Sequence, residues 1–160
     1  MEGEIKYFKR VIMSLTDIQI CLKYLDKTLV CEDNVLCKAL SEAIIISYSR
    51  PFSGYSKDKI SGLKKEFKVT KFTESEERMH EKVLTLRHKL IAHSDEDSYG
   101  VNFHISKLGD LNIAFPTQRR IAVLLSIEDI HIIKKCCSKI EEYLFEEQLR
   151  ITNILPEGRY

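Results

Sequence analysis

Apolar residues in the first part of the chain recur every three or four positions, which is the period of an α-helix. This set consists of Ile5, Phe8, Ile12, Leu15, Ile18, Leu22, Leu25 and Leu29. It predicts one helix of about seven turns. A second helix is predicted over about 34–49, in which residues 43–46 are apolar on every side, as is typical of a central helix of a bundle. Pro51 ends it, because proline disfavours the helical conformation in the residue before it.

The third helix follows a long lysine-rich connection, 51–73, in which a short helix over about 57–67 is expected. Thr73 and Glu76 have the spacing of a capping box, so the third helix is predicted to begin near Thr73. Its apolar stripe consists of Met79, Val83, Leu86 and Leu90. The polar run 94–97 ends this helix.

After the third helix the apolar period changes from three or four residues to two. Residues 99–103 alternate between apolar and polar or small side chains, and a turn at 107–110 leads into the apolar segment 111–115. Alternation around a turn that contains glycine predicts a β-hairpin. Residues 120–125 are predicted to form a third short strand.

The last helix is predicted to begin at Ser126, which with Asp129 has a spacing similar to that of a capping box. Its apolar stripe consists of Ile130, Ile133, Cys137, Ile140 and Leu144. Four amphipathic helices bury their stripes most simply by packing together. We therefore expect a mainly α protein with one domain over residues 1–160. It is predicted to be a four-helix bundle of the up-and-down type, with a small β-hairpin inserted at about 98–125, before the last helix.

The charges of the chain are balanced, with 25 Lys and Arg against 24 Asp and Glu and a formal net charge of +1. Any basic site for nucleic acid must therefore be local. The N-terminal segment lacks the basic start and apolar run of a signal peptide. The longest apolar runs, 43–46 and 121–125, are far shorter than the roughly 20 residues that span a bilayer. We therefore expect a cytoplasmic protein with no membrane contact.

Five cysteines occur without a CxxC pair, so neither a disulfide framework nor a metal cofactor is expected. A zinc site from Cys136, Cys137 and His131 is an alternative, but neighbouring cysteines on a helix point about 100° apart. Glu77 and His80 have the spacing of half a di-iron motif, and a complete motif needs two such pairs. We interpret the cysteines as buried thiols and the glutamate-rich stretches 74–77 and 141–147 as solvated helix faces.

The stretch LRHKLIAHSD, residues 86–95, carries Arg87, His88, Lys89 and His93 between apolar residues at the end of the third helix. Lys89 and His93 share a helix face, whereas Arg87 and His93 lie about 120° apart. In one interpretation His93 binds the free carbonyl groups of the last turn and suits the negative end of the helix dipole. Arg87 is then exposed or pairs with another element.

In the other interpretation the same groups perform metal-independent cleavage of RNA. An imidazole takes up and releases a proton near neutral pH, so His93 could move protons at the 2′-hydroxyl or at the leaving 5′-oxygen. The guanidinium of Arg87 stays charged and could stabilise the pentavalent phosphate. A two-fold dimer would bring a second histidine to the site.

The run from Arg87 to His93 resembles the signature of the HEPN superfamily, in which an Arg and a polar residue precede a His after four to six intervening residues near the end of a helix. LRHKLIAHSD is especially similar to the version in abortive-infection HEPN proteins of bacteria, and YSRPFSG, residues 48–54, also resembles segments of this group. The resemblance implies a helical bundle that forms a homodimer through the motif-bearing face. It also implies a metal-independent endoribonuclease of a toxin or phage-defence system.

Carried over to this chain, the resemblance makes Arg87 and His93 the catalytic pair and places His88 where Asn or Asp is usual. We expect His88, Lys89 and Arg50 to bind the RNA. We also expect the protein to have an antitoxin or defence partner, which the sequence does not identify. Some toxins of the superfamily carry Tyr two residues after the His, where this chain has Asp, so we do not predict pairing with a nucleotidyltransferase antitoxin. A non-catalytic HEPN-like module that binds a nucleotide, RNA or a protein is the alternative.

Overall fold

The computed structural model describes residues 2–53, 72–91, 102–117 and 123–158. The helices are α1 (Glu2–Leu29), α2 (Asn34–Ser49), α3 (Glu74–Ile91) and α4 (Ile127–Thr152), and β1 (Asn102–Leu108) pairs antiparallel with β2 (Leu111–Thr117). The predicted mainly α fold with a hairpin before the last helix is confirmed. Residues 123–125 are not a strand, and the remainder of the predicted third strand and the predicted helix at 57–67 lie outside the described residues.

Each helix runs antiparallel to its two neighbours, in the order α1, α2, α3, α4 around the bundle. The contacts that determine these directions are Asp17–Arg50 and Cys21–Ile44 between α1 and α2, Tyr48–His80 between α2 and α3, Lys82–Asp129 and Glu76–Lys139 between α3 and α4, and Gln19–Glu141 and Asp26–Lys134 between α1 and α4. We call the end where α1 and α3 begin the upper end, and the end where they finish the lower end. The arrangement is therefore an up-and-down bundle.

The core lies along the middle of the predicted stripes and leaves their edges exposed. Ile18 and Leu25 of α1 are fully buried, and Val83 of α3 is buried opposite them. In contrast, Ile12 and Leu29 are 37% and 38% exposed, although both belong to the predicted stripe. Ile12 lies at the edge of the stripe, away from the central residues that α2 and α4 cover, whereas Leu29 is exposed because it is the last residue of α1.

Both predicted capping boxes are present. The backbone N–H of Thr73 donates to the carboxylate of Glu76 at 2.8 Å, and the N–H of Glu76 donates to the Thr73 hydroxyl at 3.4 Å. Ser126 and Asp129 make the same reciprocal pair at the start of α4. The helix α2 ends at Ser49, as expected from the proline two residues later. Local sequence signals thus determine where these three elements begin or end.

The turn after α2 is held by one arginine of α1. Residues Arg50–Phe52 form a single 3₁₀ turn, and the guanidinium of Arg10 donates to the carbonyl oxygens of Arg50, Pro51 and Ser53. The distances to the last two oxygens are 3.2 and 2.7 Å. These carbonyls lie at the C-terminal end of α2 and in the turn after it, where carbonyl groups lack the usual partner four residues later. The Arg50 carbonyl also accepts from the backbone N–H of Ser53 at 3.1 Å. Arg10 therefore attaches the upper end of α2 to α1.

The hairpin is joined to the bundle at its lower end, between α3 and α4. Leu108 pairs with Leu111 across the predicted turn, in which Gly109 has a positive φ of 64°. Apolar residues of both strands are exposed, among them Leu108, Leu111 and Phe115. A two-stranded hairpin on its own is marginally stable in water. The described part of the hairpin therefore contributes little to the core.

Replacing Arg10 with Ala is expected to lower the free energy of unfolding by about 2 kcal/mol, because three carbonyl groups lose a charged donor. Urea unfolding followed by circular dichroism measures the change. Arg10→Lys should lower the free energy of unfolding by less than Arg10→Ala does, because an ammonium group keeps the charge but cannot reach all three oxygens. Arg78→Ala is the matched control, because Arg78 makes an exposed pair with Glu74 on the surface of α3. Equal losses in Arg10→Ala and Arg78→Ala would contradict the proposed attachment.

Candidate functional site

Three of the predicted site residues occupy the last turns of α3, at the lower end of the bundle. Arg87 is half-buried, whereas His88 and Lys89 are exposed. His93, the predicted proton-transfer residue, lies outside the described residues. The described part of the candidate site therefore consists of one partly covered guanidinium and two exposed basic groups next to it.

Arg87 lies on the side of α3 that faces the bundle. It follows the buried Val83 by four residues and the buried His80 by seven, so all three belong to one face of the helix. Leu86, its neighbour in sequence, packs against the core. The antiparallel Tyr48–His80 contact places Arg87 at about the level of Ser41 on α2, a residue that is fully buried. Arg87 therefore lies where the core meets the lower surface.

The basic groups at this end have no acidic partner within the described part of the chain. No ion pair or hydrogen bond joins Arg87, His88 or Lys89 to a described carboxylate. By contrast, Lys82, which lies one heptad before Lys89, is paired with Asp129 at 2.8 Å. Unpaired guanidinium and ammonium groups are the side chains that bind phosphate oxygens. An anion bound at the lower end of α3 would therefore not displace a carboxylate of the described residues.

Arg50, the fifth predicted site residue, lies at the upper end of the bundle. Its guanidinium contacts the carboxylate of Asp17 at 3.1 Å and is 57% exposed. Because Tyr48 contacts His80, the end of α2 lies beside the beginning of α3. Arg87 follows His80 by seven residues, which is roughly 10 Å further along the axis of α3 toward the lower end. The fold thus keeps Arg50 apart from Arg87 within one chain.

A buried polar and aromatic cluster near the upper end was not predicted. The hydroxyl of Tyr48 lies 3.0 Å from Nδ1 of His80, and both side chains are buried. The rings of Phe52 and Phe72 lie 4.5 and 5.5 Å from the His80 ring. His80 directly follows Met79 of the apolar stripe, which is the signal that could have indicated its burial. The cluster joins α2, α3 and the turn after α2, so we assign it to the fold.

A buried ion pair lies next to this cluster. Lys139 donates to the carboxylate of Glu76 at 2.7 Å, and the Glu76 side chain is only 6% exposed. Burial raises the pKa of Glu76, but the hydrogen bonds from Lys139 and Thr73 outweigh it and hold this pKa below its usual value. Residues 74–77 were predicted as a solvated face. That prediction is wrong for Glu76, because the pairing with Lys139 offsets the cost of burying its charge.

Three of the five thiols are buried, as predicted. Cys21 and Cys137 lie 3.7 Å apart in the core, and burial raises the pKa of Cys136 to about 12. Burial also raises the pKa of Cys137, so these two α4 thiols are protonated at neutral pH and unsuited to act as nucleophiles. Cys31 and Cys37 are only half-buried. Across the described ranges, no group of three or more His, Cys, Asp or Glu could hold a metal ion.

Glu76→Gln is expected to reduce the acid sensitivity of the fold. Because the folded state lowers the pKa of Glu76, its carboxylate stabilises the fold above the usual value of 4.5, and this stabilisation is lost as the pH falls through the lowered pKa. Between about pH 5 and 3, the free energy of unfolding of the natural protein should fall more steeply than that of Glu76→Gln. The exposed Glu74 supplies the control, since Glu74→Gln should keep the natural slope. Parallel curves for Glu76→Gln and the natural protein would contradict the expectation.

Comparison of the chain with known protein families, with curated proteins and with solved structures found no match in any of the three. Among the described residues, no helix combines the length and the apolar character needed to cross a membrane. The chemistry of the described residues, and the motif that extends from them to His93, are therefore the basis for a function of this chain.

Proposed function

We propose that the protein is a HEPN-like, metal-independent endoribonuclease of a toxin or phage-defence system. The observation that carries the proposal is the position of Arg87 and Lys89. Both are cationic groups without a carboxylate partner among the described residues, and they lie at the end of α3 where the core meets the surface. His93 follows Arg87 by six residues, which completes an arginine–histidine pair of the type that cleaves RNA without a metal.

In the proposed reaction the 2′-hydroxyl of a ribose attacks the adjacent phosphorus and the bond to the 5′-oxygen breaks. A base removes the proton of the 2′-hydroxyl, and an acid returns one to the departing 5′-oxygen. The products are a 2′,3′-cyclic phosphate and a free 5′-hydroxyl, and no water is consumed. His93 performs proton transfer, Arg87 stabilises the charge on the phosphate in the transition state, and His88 and Lys89 bind the RNA backbone beside it.

The reaction needs an acid and a base at the same time, so the single His93 of one chain requires a second proton-transfer group beside it. A homodimer through the motif-bearing face would supply a second His93, and we include it in the proposal. Arg50 has a different role from Arg87, because it lies at the upper end of the bundle and is paired with Asp17. It would contact RNA away from the phosphate that is cleaved.

The proposal predicts that the purified protein cleaves single-stranded RNA in the presence of EDTA. Arg87→Ala and His93→Ala should each lower the rate at least 100-fold, which is the usual contribution of a positioned acid–base or charge-stabilising group. Lys89→Ala should weaken RNA binding more than it slows cleavage. The measurement is cleavage of end-labelled RNA with identification of the 2′,3′-cyclic end.

His131→Ala is the matched control, because His131 is an exposed histidine on a different helix. It should leave the cleavage rate unchanged. A folded protein that leaves diverse RNAs intact with and without EDTA would rule out the proposed activity. Equal loss of activity in His93→Ala and His131→Ala would rule out the proposed role of His93.

A second candidate function is a non-catalytic HEPN-like module that binds a nucleotide, RNA or a protein. It is favoured by the half-burial of Arg87 on the face of α3 that contains Val83, because a partly covered arginine can stabilise a helix end by packing. In that case Arg87→Ala lowers the free energy of unfolding, and RNA is bound but not cleaved. Measuring stability, binding and cleavage on the same variants separates the two functions.

A further inference from the structure

Two of the five cysteines lie together at the lower end of the bundle, where the chain passes from α1 to α2. Cys31 belongs to the connection after α1, and Cys37 lies at the end of the first turn of α2. Both are free thiols, and both side chains are only half-buried. They are thereby distinguished from Cys21, Cys136 and Cys137, which are part of the buried core.

The two thiols surround the same short stretch of backbone. The Sγ of Cys31 donates to the carbonyl oxygen of Asp33 at 3.3 Å, and the Sγ of Cys37 donates to the carbonyl oxygen of Cys31 at 3.2 Å. The backbone N–H of Cys37 donates to the same Asp33 oxygen at 2.8 Å. One acceptor thus serves both the Cys31 thiol and the Cys37 backbone, and the Cys37 thiol lies against the backbone of Cys31.

The thiols also interact with each other. A hydrogen bond with the Cys31 thiol is the main cause that raises the pKa of Cys37 from the usual value of 9.0 to about 11. A disulfide forms only between cysteines that are close along the backbone path and whose side chains point toward each other. Two thiols that form a hydrogen bond across one turn of the backbone meet both requirements.

Access to solvent separates this pair from the other close pair of thiols. Cys21 and Cys137 lie 3.7 Å apart, but both are fully buried, so a dissolved oxidant does not reach them in the folded protein. The residues between Cys31 and Cys37, 32–36, are all exposed. A dissolved reagent can therefore approach the sulfur atoms of Cys31 and Cys37 without any opening of the core.

We propose that Cys31 and Cys37 form a reversible redox site, in which a small-molecule disulfide converts the two thiols into a disulfide within the chain. The thiolate of Cys31 attacks the small disulfide, which forms a mixed disulfide and releases one small thiolate. The thiolate of Cys37 then attacks the Cys31 sulfur, which forms the bridge and releases the second small thiolate. The protons of the two protein thiols pass through solvent to the released thiolates. Two protein thiols are thus oxidised while one small disulfide is reduced to two thiols.

The order of the two attacks follows from the protonation of Cys37. Because its pKa is raised to about 11, Cys37 keeps its proton at neutral pH and is the poorer first nucleophile. The main cause of this raised pKa disappears when Cys31 enters the mixed disulfide, so Cys37 then ionises more readily and completes the bridge. The redox site is independent of the proposed ribonuclease activity, in which neither thiol takes part.

Peptide mapping by mass spectrometry tests the site on the natural protein. The folded chain is incubated with glutathione disulfide, its remaining thiols are alkylated in denaturant, and it is then digested with trypsin. Both cysteines fall in one tryptic peptide, residues 28–38, which contains no other cysteine. This peptide should lose two hydrogen atoms and escape alkylation, and a dithiol reductant should reverse the change. The peptides that contain Cys21 and Cys136 are the internal control and should be alkylated.

Three results would overturn the proposed site. In the first, peptide 28–38 is alkylated at both thiols after the incubation. In the second, it retains bound glutathione and forms no bridge. In the third, the bridge joins two chains, which a non-reducing gel detects as a product of twice the mass.

Variants and limited alkylation test the order of the steps. Cys37→Ser should retain glutathione on Cys31, because the second thiol that completes the bridge is absent. Cys21→Ala is the matched control and should still form the bridge, because it changes only the buried pair. In the natural protein at neutral pH, a limiting amount of iodoacetamide should modify Cys31 about tenfold faster than Cys37. Equal rates at the two positions would overturn the assigned order.

Circular dichroism tests whether the native fold accommodates the bridge. The oxidised protein should keep its helical signal and should melt at a higher temperature than the reduced protein, because the bridge constrains the unfolded chain. Cys37→Ser after the same treatment should show no such increase. A melting temperature of the oxidised natural protein below that of the reduced protein would overturn the proposal, because the bridge would then distort the turn between α1 and α2.

Discussion

The interaction on which the rest of the structure depends is the burial of the central row of α1 between α2 and α4. Ile18 and Leu25 are fully buried in this row, and Cys21 between them contacts both neighbouring helices. Since α1 spans the length of the bundle, its row sets the level at which each neighbour packs. The antiparallel register of α2 and α4 follows from it, and α3 completes the core opposite α1.

That register separates the chemistry of the two ends. The upper end contains groups that are paired with one another: Arg10 with the turn carbonyls, Arg50 with Asp17, and Glu76 with Lys139. These groups hold elements together, and their charges are largely compensated. At the lower end, the basic side chains at the end of α3 have no acidic partner among the described residues. Lys82 and Lys134 are also paired, with Asp129 and Asp26, in the lower half of the bundle. The physical reason to place the candidate site at the end of α3 is therefore that Arg87, His88 and Lys89 have no carboxylate partner among the described residues.

The local elements were predictable because short-range signals determine them. The capping boxes at Thr73 and Ser126, the end of α2 near Pro51 and the glycine turn at Gly109 all follow from residues a few positions apart. Burial at the edges of a stripe was less predictable. The apolar period predicts that Ile12 is in the core and that Glu76 faces solvent. In the structure, Ile12 is exposed because no neighbouring helix covers it, and Glu76 is buried against α4.

The sequence by itself therefore determined four helices, a hairpin before the last of them, and a basic motif that begins at Arg87. It could not determine which residues of different helices meet, because the contact partners are far apart along the chain. Only the tertiary structure decided that Arg50 lies far from Arg87 and pairs with Asp17, and that His80 is buried against Tyr48. The physical reason is the antiparallel packing, which places the end of α2 beside the beginning of α3 and two turns away from Arg87.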